Sequence, residues 1–126
     1  MIVMNLIDKL IKNYDFVYSI EKLPDKNVYR VVFKQLDYIN DNFECYVSME
    51  CFESSRAILV DDDGWTESEL ETLNKQNALG VAQLKNKYHI QTIKDDYILL
   101  TSLDDLEVVL KRMLAFMTEV DRELLS

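Results

Sequence analysis

Asp61-Asp62-Asp63-Gly64-Trp65 is the stretch of this chain whose residue types come nearest to a reactive site. Three carboxylates before a glycine invite comparison with a calcium loop. In that loop glycine stands sixth and the first ligand lies five residues earlier. The first ligand would then be Leu59, which has no oxygen to offer, so the register fails. The triplet reads instead as a solvated turn between a strand and a helix, with weak cation binding or recognition of a basic partner as the alternatives. Asp95/Asp96 and Asp104/Asp105 are paired carboxylates of the kind used in acid–base work. They fall at turn and helix-start positions, where acids have a structural reason to be.

The remaining chemistry is sparse. One histidine, His89, and two cysteines, Cys45 and Cys51, do not supply a multi-histidine or four-cysteine metal centre. The cysteines are six residues apart on one predicted strand, about 20 Å at roughly 3.3 Å per residue, beyond disulfide reach. They read as small buried hydrophobes in a reducing compartment. The two glycines, Gly64 and Gly80, leave no phosphate loop or dinucleotide fingerprint, and no serine stands in a nucleophile elbow. The expectation is therefore no catalytic residue, no metal site and no cofactor.

Val3, Leu6, Ile7, Leu10, Ile11 and Tyr14 recur at helical spacing and predict an N-terminal helix. The pattern then changes to period two. Phe16, Tyr18 and Ile20 alternate with Val17, Ser19 and Glu21. After the Leu23-Pro24-Asp25-Lys26-Asn27 turn, Tyr29, Val31 and Phe33 share one face, with Val28, Val32 and Leu36 on the other. Phe43, Cys45, Val47, Met49 and Cys51 alternate cleanly with polar neighbours, and a fourth short strand spans Arg56 to Val60. Thr66-Glu67-Ser68-Glu69 has the letters of a capping box, with Thr66 as the cap of a helix running to about Asn86. Leu70, Leu73, Val81 and Leu84 form its apolar face. Asn74, Asn77 and Gly80 fall within the same stripe, so the asparagines call for polar partners or a wet groove. Tyr88 to Ile93 and Tyr97 to Thr101 flank Lys94-Asp95-Asp96 as a hairpin. Ser102 opens a last helix with Leu106, Val109, Leu110, Met113, Met117, Val120 and Leu124 in one stripe. Val108 and Leu114 lie off it, as an oligomer contact or as scattered surface apolars.

These elements fit one α+β domain over residues 1–126, an antiparallel meander with an N-terminal helix, a long middle helix, a hairpin and a C-terminal helix. With 48% hydrophobic residues, two glycines and one proline in 126 residues, a regular core is expected. No apolar run approaches the roughly 20 residues of a membrane helix. The first residues have neither a basic leader nor a cleavage site, so a cytoplasmic protein is expected. The net charge of −9 is uneven. Residues 1–60 carry nine acids against seven bases, and residues 61–126 carry fourteen against seven. Such a field repels nucleic acid, and it either favours a basic partner or serves solubility alone.

Three segments carry a family resemblance: Leu73-Asn74-Lys75-Gln76-Asn77, the run from Tyr88 through Lys94-Asp95-Asp96 to Leu100, and Ser102 at the last helix. With the order of elements, they resemble the bacterial sensory-transduction regulators of the YbjN type and the type III secretion chaperones. The chain departs from that pattern at Asp95-Asp96, where a tight glycine turn is more typical. The resemblance implies a non-enzymatic protein-binding module, often a homodimer, holding a client or effector segment. The rival expectation is an immunity or inhibitor protein that neutralises a basic toxin or nuclease through its acidic face. The residues expected to meet a partner are Asp61, Asp62, Asp63, Trp65 and Glu67, with Val108 and Leu114. Trp65 has a second reading, as a staple packing on the first helical turn near Leu70.

Overall fold

The order of polar and apolar residues folds into an open antiparallel sheet of six strands, seen in a computed structural model that describes residues 2–24, 26–52, 55–73 and 78–125. The helix α1 (Ile2–Lys12) leads into β1 (Val17–Lys22), β2 (Val28–Leu36), β3 (Asn42–Phe52) and β4 (Ser55–Asp61). Two helices follow, α2 (Trp65–Thr72) and α3 (Ala78–Tyr88), then β5 (Gln91–Ile93), β6 (Asp96–Thr101) and α4 (Leu106–Val120). A π-helical turn over Asp121–Leu125 ends the described chain. The strand order is β1-β2-β3-β4-β6-β5, so the hairpin joins the meander through β6 and leaves β1 and β5 as edges. This is the expected α+β architecture. No helix among the described residues is long and apolar enough to cross a membrane.

Strand alternation decides which face is filled. Tyr29, Val31 and Phe33 of β2, Phe43, Cys45 and Val47 of β3, and Ile58 and Val60 of β4 are all buried in one core. Ile7 and Ile11 of α1 and the stripe Leu106, Leu110, Met113, Phe116, Met117 and Val120 of α4 close it. The opposite face carries a row that crosses all six strands in register: Glu21, Arg30, Tyr46, Asp61, Ile98 and Gln91.

Four details depart from the sequence reading. The register of β1 against β2 shifts between Val17 and Ser19, so Val17 and Ile20 face the core and Tyr18 is 70% exposed. An extra residue in one strand breaks strict alternation there. The middle helix is two elements, because Leu73 leaves the helical region at φ −89°, ψ 2°. The Thr72 hydroxyl donates to the Ser68 carbonyl at 2.8 Å, a back-bond that weakens the end of a helix. Asn74 and Asn77 lie outside the described residues, as do the side chains of Val3 and Cys51. The Lys94-Asp95 turn is tight without glycine, since Ile93 pairs with Asp96 and Lys94 takes φ 55°. The π turn advances the phase of the last helix by one residue, so Leu125 is buried and Leu124 only partly so.

Phe116 is the aromatic hub, with ring centroids 5.6 Å from Tyr97 and 6.3 Å from Tyr88. Phe116→Ala is expected to remove about 3–5 kcal/mol of stability. It should show as a lower urea midpoint with an unchanged slope.

Candidate functional site

A cleft of about 470 Å³ opens where the outer face of β2 and β3 meets the start of α2. Arg30, Val32, Glu44 and Tyr46 form its floor. Asp37, Asp41 and Asn42 come from the β2–β3 turn, and Asp62 to Trp65, Ser68 and Glu69 from the strand-to-helix turn. Six carboxylates thus face one guanidinium.

Each wall has a local cause. In the β2–β3 turn, Asp37 Oδ1 accepts the Ile39 and Asp41 amides, both at 3.0 Å, while Asn40 takes φ 64°. That is an Asx-type turn, in which the short side chain substitutes for backbone. Asn42 Nδ2 donates to the Phe33 carbonyl at 2.7 Å and fixes the hairpin end. Across the cleft, the Tyr38 hydroxyl donates to Glu69 Oε2 at 3.0 Å and its amide to Asp121 Oδ1 at 2.9 Å.

The opposite wall is built on Asp62. Its Oδ1 accepts the Gly64 amide at 3.0 Å and the Tyr97 amide at 2.9 Å, and its Oδ2 accepts the Thr66 amide at 3.0 Å. The expected capping box does not form. Thr66 lies inside α2, its buried hydroxyl stands beside the Asp62 carboxyl without a well-formed hydrogen bond, and Glu69 is turned to Tyr38. Asp62, four residues upstream, does the capping. Trp65 packs edge-on against Phe43, ring centroids 5.3 Å apart, and its remaining surface lines the cleft. The single tryptophan is therefore both a packing residue, on Phe43 and the core that includes Leu70, and part of the wall.

The acids here are crowded enough to resist ionisation. Ligand oxygens of Asp61, Asp62 and Asp96 lie within 4.8 Å of one another. Burial, then the charges of Asp96 and Asp62, push the Asp61 carboxyl from 3.8 to about 7, against the pull of the Asp63 amide. Burial also raises Asp62 despite its three amides, and burial with the Asp96 charge raises Asp63. The spacing alone suits a hard cation, but such an ion takes six or more oxygens. Asp62 has already given its oxygens to amides, so the group is a cap beside a carboxyl pair.

The other predicted partner residues scatter. Glu67 accepts the Tyr97 hydroxyl, whose pKa burial and that carboxylate push upward. Val108 is 59% exposed and lines a separate depression with Leu100 and Arg112. Leu114 packs on the core and borders a third depression with Phe16, Lys111 and Arg122. The structure thus brings Asp62, Asp63 and Trp65 into one cleft, keeps Asp61 beside it, and leaves Val108 and Leu114 elsewhere. Sequence reading missed Arg30, Asp37, Asp41, Glu44 and Tyr46, and it left Glu69 in a cap and Asp96 in a turn without joining them to the site. Their signal was the outward phase of the strands and the acid-flanked Asp37–Asp41 turn. Cys45 is fully buried and its thiol is driven up by desolvation, so it has no thiolate to offer.

Asp62→Ala would orphan three amides at about 1 kcal/mol each. A loss of about 3 kcal/mol is expected, read from urea unfolding followed by Trp65 fluorescence, with Asp62→Asn recovering part of it. No family model matches the chain, and no curated protein or solved structure matches it.

Proposed function

We propose that this chain is a non-enzymatic module that binds a basic segment of another protein in the acidic cleft. The observation that carries this reading is the cleft's make-up: six carboxylates, Trp65 and Tyr46 around a single arginine. Arg30 is itself committed, with Nε and Nη2 on Glu44 Oε2 at 3.2 and 3.0 Å and Nη1 3.6 Å from Glu21. A lysine- or arginine-rich segment would meet a complementary field and two aromatic surfaces for its cations.

The order of elements and the acidic balance favour a cytoplasmic secretion-chaperone-like or YbjN-type module, acting as a homodimer on a client. Val108 and Leu114 lie away from the cleft, and a subunit contact there would leave the cleft open. The second reading is an inhibitor of a basic toxin or nuclease, favoured by the charge excess of the half that holds Asp61 to Glu71.

Calorimetric titration with a lysine- and arginine-rich peptide tests the cleft. Asp41→Lys with Asp63→Asn removes charge without touching Asp62, and asparagine tolerates the φ of 54° at position 63. Affinity is expected to fall on the order of tenfold, about 1.4 kcal/mol, and to weaken with salt in the unmodified protein. An unchanged affinity would remove the cleft as the docking site. The native partner from a pull-down, a secretion client or a nuclease, separates the two readings.

A further inference from the structure

We propose that Asp61 and Asp96 form a proton-operated clasp, fastening the β5–β6 hairpin and the start of α2 to the end of β4. The proposal rests on the fold alone and stands apart from the protein-binding reading. Pairing between β4 and β6 ends at Asp61 opposite Ile98. One residue further, the Asp62 amide donates to the Tyr97 carbonyl at 3.1 Å, and Asp62 Oδ1 accepts the Tyr97 amide at 2.9 Å. Asp96 opens β6 and brings its carboxyl to within 4.8 Å of the Asp61 and Asp62 oxygens. The turn at Gly64 passes beside it. A Cβ there would stand in ordinary contact, 3.6 Å from Asp96 Oδ1, so it is the φ of 77° and not space that calls for glycine.

The groups around the pair are mostly acidic. From its own strand and turn come Asp62 and Asp63, from β6 Asp96, and from β3 the cross-strand Tyr46 with Glu44 beside it. Lys26 acts on Asp63, and Arg30 is held by Glu44 and Glu21. Among the described residues no cation forms an ion pair with Asp61 or Asp96. A charge on Asp61 would stand half-buried beside the Asp96 and Asp62 carboxyls, so burial first and those neighbours second make it hold its proton. Losing that proton places like charges across the last rung of the sheet, where the hairpin and α2 are tied to β4.

The sign follows from linkage. The Asp61 pKa of about 7 in the fold exceeds its unfolded value of 3.8. The closed state therefore binds more protons between those values and is favoured at low pH. Its advantage is lost as pH rises towards 7 and is constant beyond. The opening constant then grows by up to about tenfold per pH unit over that window.

The readout is hydrogen exchange at the Thr66 and Tyr97 amides, both donors to Asp62, from pH 5 to 8 with correction for intrinsic exchange. Protection should fall by up to about tenfold per unit to pH 7 and then level. In Asp61→Asn it should be high and flat. In Asp96→Asn the fall should move to lower pH, because burial still raises Asp61 when the neighbouring charge is gone. Glu71→Gln, an equal charge change outside the cluster, should behave as the parent. The Asp61 carboxyl carbon should titrate near pH 7. Titration of Asp61 below pH 5, a parental pH profile in Asp61→Asn, or an undisplaced one in Asp96→Asn overturns the clasp; failed peptide binding alone leaves it standing.

Discussion

The carboxylate of Asp62 is the point on which the arrangement depends. It is 2% exposed, and a buried charge is costly unless its oxygens are fully used. Three amides use them, from Gly64, Thr66 and Tyr97. Hydrogen bonds to a charged group are worth about 1.5–3 kcal/mol each, and together they offset part of the desolvation penalty, with burial still raising the Asp62 carboxyl. What matters more than the balance is which segments the donors come from. Two belong to the start of α2 and one to the start of β6, 35 residues on. A single side chain thereby sets the angle at which helix and hairpin leave the end of β4.

That anchor dictates the backbone around it. To bring the Gly64 and Thr66 amides onto Asp62, the chain turns back within three residues, with Asp63 at φ 54° and Gly64 at φ 77°. Aspartate is among the few side chains that tolerate that region, and glycine enters it without strain. Asp61 and Asp96 then stand together because β4 and β6 reach this point in register, not because either seeks the other. Their crowding is a by-product of the cap, and with burial it raises the proton affinity of Asp61.

The sheet was largely legible in the sequence, because half-buried strands write their inner face as alternation: Phe43, Cys45 and Val47 are all buried, as their spacing requires. The bulge in β1 leaves no hydropathy signal, so alternation groups Tyr18 with Ile20 where the fold separates them. The helix cap was misread for another reason. Thr66 and Glu69 have the right letters at the right spacing, but the winning acceptor is closed by Tyr97, a tertiary contact that local pattern cannot reveal. The cleft was half legible for the same reason. Asp62, Asp63 and Trp65 are adjacent in the chain, whereas Arg30, Asp37 and Glu44 join them only through the register of β2 and β3.

The field inside the cleft is set by its acids and hardly by Arg30. The Arg30 and Glu44 side chains are 39% and 36% exposed, and pairs that open to water contribute between nothing and about 1 kcal/mol. Contrast Glu119, whose side chain is 11% exposed and accepts Lys87 Nζ and the Tyr88 hydroxyl, both at 2.6 Å. Those donors pull its carboxyl below the ordinary value of 4.5. By the sign of that shift, its contribution to stability is present above 4.5 and is lost as pH falls. Asp61 acts in the opposite sense, since its raised pKa favours the fold at low pH. The two contacts thus respond oppositely to acid and in different windows: the β4–β6 junction tightens as pH falls from about 7, and the α3–α4 contact loosens only below 4.5.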